Sequence, residues 1–126
     1  MTAKRIAVLG ASANRARFGN KAVRAFRDAG WTVYPVNTHE QSIEGIAAFP
    51  RLTEIPGSID VVSVYLPPPV GATVIDDIIS TKPGEVFLNP GAESEYIVSR
   101  LEGVGVPVRL ACSIRSHGMD PDVYGA

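Results

Sequence analysis

Residues Arg5 to Asn20 read Arg-Ile-Ala-Val-Leu-Gly-Ala-Ser-Ala-Asn-Arg-Ala-Arg-Phe-Gly-Asn. The apolar run Ile6 to Leu9 stops at Gly10, small and polar residues follow, and a helical pattern begins near Asn20. An unbroken apolar run suits a strand buried on both faces of a parallel sheet. A buried strand, a flexible turn and a helix N-terminus together make an anion site. Loop amides and the positive end of the helix dipole can converge there on one phosphate. The charge pattern agrees: no Asp or Glu precedes Asp28, while Lys4, Arg5, Arg15, Arg17, Lys21, Arg24 and Arg27 all do. The stretch reads as the phosphate-binding turn of a nucleotide-binding α/β domain. The plainer reading is a structural βα turn with a solvated basic face.

Outward from that turn, Asn20 is a good N-cap for a helix to about Ala29. Ala22, Val23, Phe26 and Ala29 form its apolar stripe, with Lys21, Arg24 and Arg27 toward the other side and Gly30 in the capping position. Thr32 to Val36 is a β-branched and aromatic strand, and Pro35 marks its end. Residues 37–42 form a polar loop. Residues 43–58 are ambiguous, with a short strand over Ile46–Phe49 and one helical turn over Leu52–Ile55. Asp60 to Tyr65 is a strand ended by Pro67-Pro68-Pro69. Val70, Val74, Ile75, Ile78 and Ile79 then recur at helical spacing up to Lys82. Glu85–Leu88 is a strand, Asn89-Pro90-Gly91 a turn, Glu93–Glu102 a helix and Val106–Ala111 a last strand, and residues 112–126 show no clear pattern. The order predicts an α/β, three-layer domain with a mainly parallel sheet of five or six strands. Ile6–Leu9 and Val61–Tyr65 are expected to be neighbours at its centre. Ligands in such sheets bind beyond the carboxyl ends of the strands, where strand order reverses. That rule places a crevice between Gly10-Ala11-Ser12 and Leu66-Pro67-Pro68.

A chain of 126 residues is expected to form one domain, residues 1–126. Apolar content of 45% and charged content of 20% are those of an ordinary soluble globule. A net charge of −1 makes no case for nucleic acid or a membrane surface as partner. The single cysteine, Cys112, excludes an internal disulfide framework and fits a reducing cytoplasm. No apolar run approaches the ~18 residues of a membrane span. Residues 1–20 carry charge and a turn where a signal peptide needs an apolar core, so a cytoplasmic location is expected.

The nucleotide can be narrowed. A dinucleotide fingerprint G-x-G-x-x-G counted from Gly10 would need glycine where Ser12 and Arg15 stand. The acid that grips a ribose hydroxyl should end the second strand, and Val36, Asn37 and Thr38 stand there instead. NAD is disfavoured on both counts, and no P-loop pattern occurs.

Five pieces in order carry a family resemblance: Val8-Leu-Gly-Ala-Ser12, Arg17-Phe-Gly-Asn-Lys21, Val33-Tyr-Pro-Val-Asn37, Leu52-Thr-Glu-Ile-Pro56 and Asn89-Pro-Gly-Ala-Glu-Ser94. Together they resemble the small stand-alone CoA-binding proteins, which are similar to the N-terminal CoA-binding domain of the succinyl-CoA synthetase alpha subunit. Tyr65-Leu-Pro-Pro-Pro69 resembles that subunit's proline-rich turn. The resemblance runs from Ile6 to about Cys112. It implies a Rossmann-like domain that binds coenzyme A or an acyl-CoA. By matching position, Gly10, Ala11 and Ser12 would approach the phosphates, with Asn14, Arg15 and Arg17 along the same loop. Val36, Asn37, Tyr65, Leu66 and Pro67 would flank the nucleotide, and Asn89, Pro90 and Gly91 would complete the rim. Arginine forks suit the pyrophosphate and 3′-phosphate of CoA. Two departures limit the resemblance. The synthetase subunit has a second domain with a phosphorylated histidine, so acyl-CoA ligation by these residues alone is not expected. It also has a basic residue near the end of the second strand, where His39 is the nearest counterpart.

The remaining chemistry-bearing residues have plain readings. Cys112 reads as a structural cysteine, since a catalytic thiol needs a base and an oxyanion site. His39 and His117 read as solvated loop histidines without metal-ligand spacing. Asp76 and Asp77 read as facing water. Tyr65 is divided evenly between packing and ligand stacking, and Phe18 is a candidate plug over the site. The expected function is a CoA-binding module without its own catalysis, as monomer or homodimer. The alternatives are an NAD(P)-binding or acyl-CoA-dependent enzyme using the same crevice, or a regulatory or structural partner with a vestigial site.

Overall fold

The computed structural model describes residues 3–126. Met1 and Thr2, part of the segment read against a signal peptide and of the one-domain reading, lie outside the described residues. The strands β1 (Arg5–Leu9), β2 (Thr32–Val36), β5 (Val61–Val64), β6 (Glu85–Leu88) and β7 (Val108–Leu110) form one sheet in the order β2-β1-β5-β6-β7. All its pairings are parallel, and β1 and β5 are neighbours as expected, with Leu9 opposite Val64. Strand order reverses between β1 and β5, because β2 lies on one side of β1 and β5 on the other.

Alternation of side chains sends the sheet's apolar groups to two cores. Ile6, Val8 and Phe87 face helix α1 (Phe18–Asp28) and a short α5 (Ser113–Ser116), through Val23, Phe26 and Ile114. Ala7, Leu9, Val62, Val64 and Leu88 face α2 (Pro68–Thr73), α3 (Ile75–Thr81) and α4 (Glu95–Gly103). The result is an α/β Rossmann-like sandwich. Phe26 is fully buried, a placement worth about 1.5–3 kcal/mol for a side chain of that size.

Several elements differ from the sequence reading, each for a tertiary reason. Helix α1 starts at Phe18 with Arg17 in the N-cap position, and no side chain caps it. Asn20 is buried inside the helix instead. Its amide donates to the Ser12 carbonyl and Glu44 Oε2, and its Oδ1 accepts from Arg24 Nε. Arg24 is therefore not on the solvated face. It is 5% exposed, and its guanidinium also donates to the carbonyls of Arg15 and Gly125. Ala29, expected in the apolar stripe, is exposed at the helix end. The single helix expected up to Lys82 breaks at Val74, whose amide bonds back three residues to Gly71.

The ambiguous segment resolves into a hairpin of β3 (Ser42–Ile43) and β4 (Ile46–Ala47), turned by Glu44 and Gly45, both at positive φ. Phe49, expected as the end of a strand, makes a parallel bridge to Val36. Its amide donates to the Pro35 carbonyl, so Pro35 presents its backbone to the outer edge and its missing N–H costs no bond to β1. Leu52–Glu54 is the expected helical turn, of 3-10 type. Ser94 caps α4 by accepting from the Ile97 amide. The patternless tail folds as α5 and a 3-10 turn, Pro121–Val123, against α1.

Candidate functional site at the carboxyl edge of the sheet

Gly10 follows β1 with φ +82°. A Cβ there would lie 3.0 Å from the Tyr65 backbone and 3.1 Å from Leu66 Cδ2. Only glycine lets the turn after β1 press against the turn after β5. A Cβ on Gly19 would overlap the Gly10 carbonyl oxygen. Gly19, rather than the position of Arg15, is therefore the glycine that lets the helix pack on the strand end. The sequence reading missed it because the turn is longer than the dinucleotide fingerprint allows.

The loop between these glycines spends part of its donor capacity on itself. The amide of Asn14 donates to Ser12 Oγ, that of Ala16 to Asn14 Oδ1 and that of Arg17 to the Asn14 carbonyl, each at 3.0 Å. The first turn of α1 leaves the amides of Phe18 and Gly19 without intrahelical acceptors. The loop cations differ. Arg15 stands 3.5 Å from Glu44, and Arg24 is buried. Arg17 is exposed and, among the described residues, has no ion-pair partner.

Three adjoining hollows run along this edge. The first, of about 450 Å³, lies beyond β1 and β2 and is lined by Gly10, Val36, Asn37 and Leu66 together with His39 and Arg51. The second, of about 400 Å³, shares Gly10 and Leu66 with it and adds Arg17, Pro67, Pro90 and Gly91. The third, of about 190 Å³, shares Phe18, Tyr65 and Pro90 with the second and ends at Asn89, Cys112 and Arg115. Ala11, Ser12, Asn14 and Arg15 line none of the three. Ala11 is buried at 1% exposure, and its carbonyl accepts from Asn37 Nδ2 at 2.9 Å. Phe18 is half exposed between the second and third hollows.

Asn89 lines the third hollow from a buried position. It donates to Ser63 Oγ and the Val64 carbonyl at 2.9 Å, and accepts from the Ser113 amide at 2.8 Å. Ser63 and Ser113 share a hydrogen bond of 2.8 Å, and the Tyr65 hydroxyl stands 3.2 Å from Ser113 Oγ. Burial pushes the Tyr65 phenol up to about 12, against a smaller opposing effect of the Ser113 hydrogen bond, so it stays neutral.

His117 is not a solvated loop residue. Its Nδ1 lies 2.7 Å from the Ser113 carbonyl, and its ring packs against Phe26, Trp31 and Phe87. Cys112 is half-buried at the third hollow, and no hydrogen bond joins it to His117 among the described residues. His39 is exposed at the first hollow. Asp76 faces water as expected, but Asp77 has an 18% exposed side chain and pairs with Arg51 at 2.8 Å. That hydrogen bond holds the Arg51 pKa above its ordinary value. Among the described residues, no three His, Cys, Asp or Glu side chains are grouped to hold a metal ion. No helix in them is long and apolar enough to cross a membrane.

A parallel sheet with its crevice at the strand-order reversal and a glycine turn at the crevice's middle defines a nucleotide-binding class of α/β domain. The chain belongs to the CoA binding domain family, which matches residues 4–117. It is 30% identical to the uncharacterized protein YneT of Bacillus subtilis over 112 residues, 89% of this chain and 83% of that one. It is 35% identical over 63 residues to the alpha subunit of ADP-forming acetate–CoA ligase II of Pyrococcus furiosus, which is 49% of this chain and 14% of that subunit. The match to this ligase subunit thus spans a small part of its length. A Thermus thermophilus structure superimposes with a TM-score of 0.85 at 29% identity, covering 92% of this chain and 89% of that one. The dinucleotide-forming acetyl-coenzyme A synthetase 1 of Ca. Korarchaeum cryptofilum, in complex with phosphate and ADP, gives 0.76 at 25% identity, covering 86% of this chain and 25% of that one.

Proposed function

We propose that this chain binds coenzyme A or an acyl-CoA in the carboxyl-edge crevice and acts as a non-catalytic module: a carrier, a sensor, or a subunit of a larger activity. The observation that carries the reading is the run of three hollows with the Gly10 turn between the first and second. An elongated ligand with a nucleotide at one end and a flexible arm at the other suits such a shape. The family and the ligase relatives support the same ligand.

In this reading, Gly10 and the first amides of α1 face the phosphates, because turn amides and a helix N-terminus favour anions, while Ala11 and Ser12 shape the turn through their bonds to Asn37 and Asn14. Arg17 supplies the uncommitted cation, with Arg15 and Asn14 beside it. Val36, Asn37 and Leu66 wall the nucleotide end, and Tyr65, Pro67, Asn89, Pro90 and Gly91 wall the arm. The protein works as a monomer or homodimer.

Isothermal titration of CoA and NAD against the wild type, Arg17→Ala and Gly10→Val tests this. CoA is expected to bind more tightly than NAD. Arg17→Ala should weaken CoA about tenfold, the loss of one charge-assisted contact. Gly10→Val should abolish binding, because the branched side chain meets the Tyr65 backbone and the required φ disfavours it. Equal or tighter binding of NAD would overturn the reading.

A further inference from the structure

We propose that Arg51 reads a phosphate monoester on the ligand's ribose, and that its pairing with Asp77 is the contact the ligand displaces. The proposal rests on the coenzyme A reading and deepens it.

The first hollow lies where folds of this kind hold the ribose of a nucleotide, outside the ends of the first two strands. A free ribose is gripped there by an acid ending the second strand. Here Asn37 takes that place, and the backbone already occupies it. Its Nδ2 donates to the Ala11 carbonyl, and its Oδ1 accepts from the amides of His39 and Glu40 at 2.7 and 2.9 Å. The hollow thus lacks an acceptor at the strand end, but it holds a cation.

His39 and Arg51 are the basic side chains that line it. Of the two, Arg51 carries the guanidinium, a permanent charge with a planar array of donors. Arg51 grips Asp77 as a fork, Nε to Oδ2 at 3.2 Å and an Nη to Oδ1 at 2.8 Å. The same planar fork matches two oxygens of a phosphate.

The two partners are not held alike. The Asp77 side chain is 18% exposed in the wall of α3, whereas that of Arg51 is 63% exposed. The next residue, Leu52, is buried and anchors the backbone. The guanidinium is therefore the part free to turn. A phosphate monoester carries nearly two charges at pH 7 against one for the carboxylate, which favours the exchange. Apolar Val36, Leu52, Leu66, Val70 and Val74 complete the wall and suit the faces of a purine.

The test is titration of CoA, dephospho-CoA, NADP and NAD against the wild type, Arg51→Ala, Arg51→Lys and Asp77→Asn at one ionic strength. Arg51→Ala should weaken CoA about tenfold or more and shift dephospho-CoA by less than about twofold. Arg51→Lys should fall between, because it keeps the charge and loses the fork. Asp77→Asn should tighten CoA about threefold by removing the competing anion. Equal binding of CoA and dephospho-CoA to the wild type, or equal effects of Arg51→Ala on both, would overturn the assignment while the coenzyme A reading stands. No binding of either would overturn both. Tighter binding of NADP than of CoA, with the same dependence on Arg51, would move the chemistry to a 2′-phosphate and overturn coenzyme A as its source.

Discussion

The two ends of the crevice are closed in opposite ways. Beyond β2, the hollow of about 450 Å³ is walled by apolar side chains and lined by one ion pair, exposed Arg51 with the more buried Asp77. Beyond β6, the hollow of about 190 Å³ is backed by Ser63, Asn89 and Ser113, all buried and bonded to one another. Among the described residues, no buried side-chain nitrogen or oxygen lacks a partner. Both ends stand on the same parallel sheet, so the difference lies in what each can give up. An ion pair whose guanidinium is solvated can trade that contact for another at little cost. A buried network cannot open without leaving a donor or acceptor unmet. One end is built to exchange partners and the other to stay fixed as a frame.

The first way to break this comparison acts where the two ends meet. Gly19→Val should destabilise the fold by about 3 kcal/mol or more, because its Cβ overlaps the Gly10 carbonyl and overpacking must shift α1. Denaturant unfolding measures this, and wild-type stability would mean that α1 does not press on the turn. Asn89→Ala removes two donated bonds and strands the Ser113 amide, so about 2 kcal/mol should be lost in the same assay. A loss no larger than that of a surface substitution would show that the frame is not held by this network.

Tyr65 sharpens the contrast through pH. Its phenol rises from 10.0 to about 12 on folding. A raised pKa means that the folded state keeps its proton where the unfolded state loses it. The contribution of Tyr65 is therefore full below pH 10 and is lost as pH rises toward 12. The stability difference between wild type and Tyr65→Phe should shrink from pH 9 to 11.5 in chemical unfolding. A constant difference would mean that the hydroxyl is not buried in the frame. The smallest effect belongs to the other end. Arg51→Ala and Asp77→Asn should leave the melting temperature at the wild-type value, even where they change binding. A clear drop would make that pair structural and dissolve the comparison.

The location of the crevice was legible because it rests on local signals. The apolar runs at Ile6 and Val61, the stop at Gly10 and the proline turn at 67–69 placed the ends of β1 and β5 on either side of it. The second-strand end was legible too, through Val36 and Asn37. The hairpin at residues 42–47 was not, since each strand is two residues long and too short to show a period. The helix start was misread because Asn20 has the chemistry of a cap but is buried. Its amide and carbonyl oxygen are taken by Ser12, Glu44 and Arg24, groups whose positions the local pattern does not reveal.

By itself the sequence determined the parallel sheet, its central pair and the crevice beyond it, because strand burial and turn sterics depend on neighbours along the chain. It also set the excess of positive charge around the turn. Only the tertiary structure sorted the cations, burying Arg24 under the tail, placing Arg15 beside Glu44 and leaving Arg17 without an ion pair among the described residues. It also decided that Gly19 meets Gly10, that Asn89 joins β5 to α5, and that Arg51 finds Asp77 across 26 positions of chain. These contacts join residues far apart in sequence. Their partners are chosen by packing and by the need to satisfy buried polar groups, and neither leaves a periodic trace in the chain.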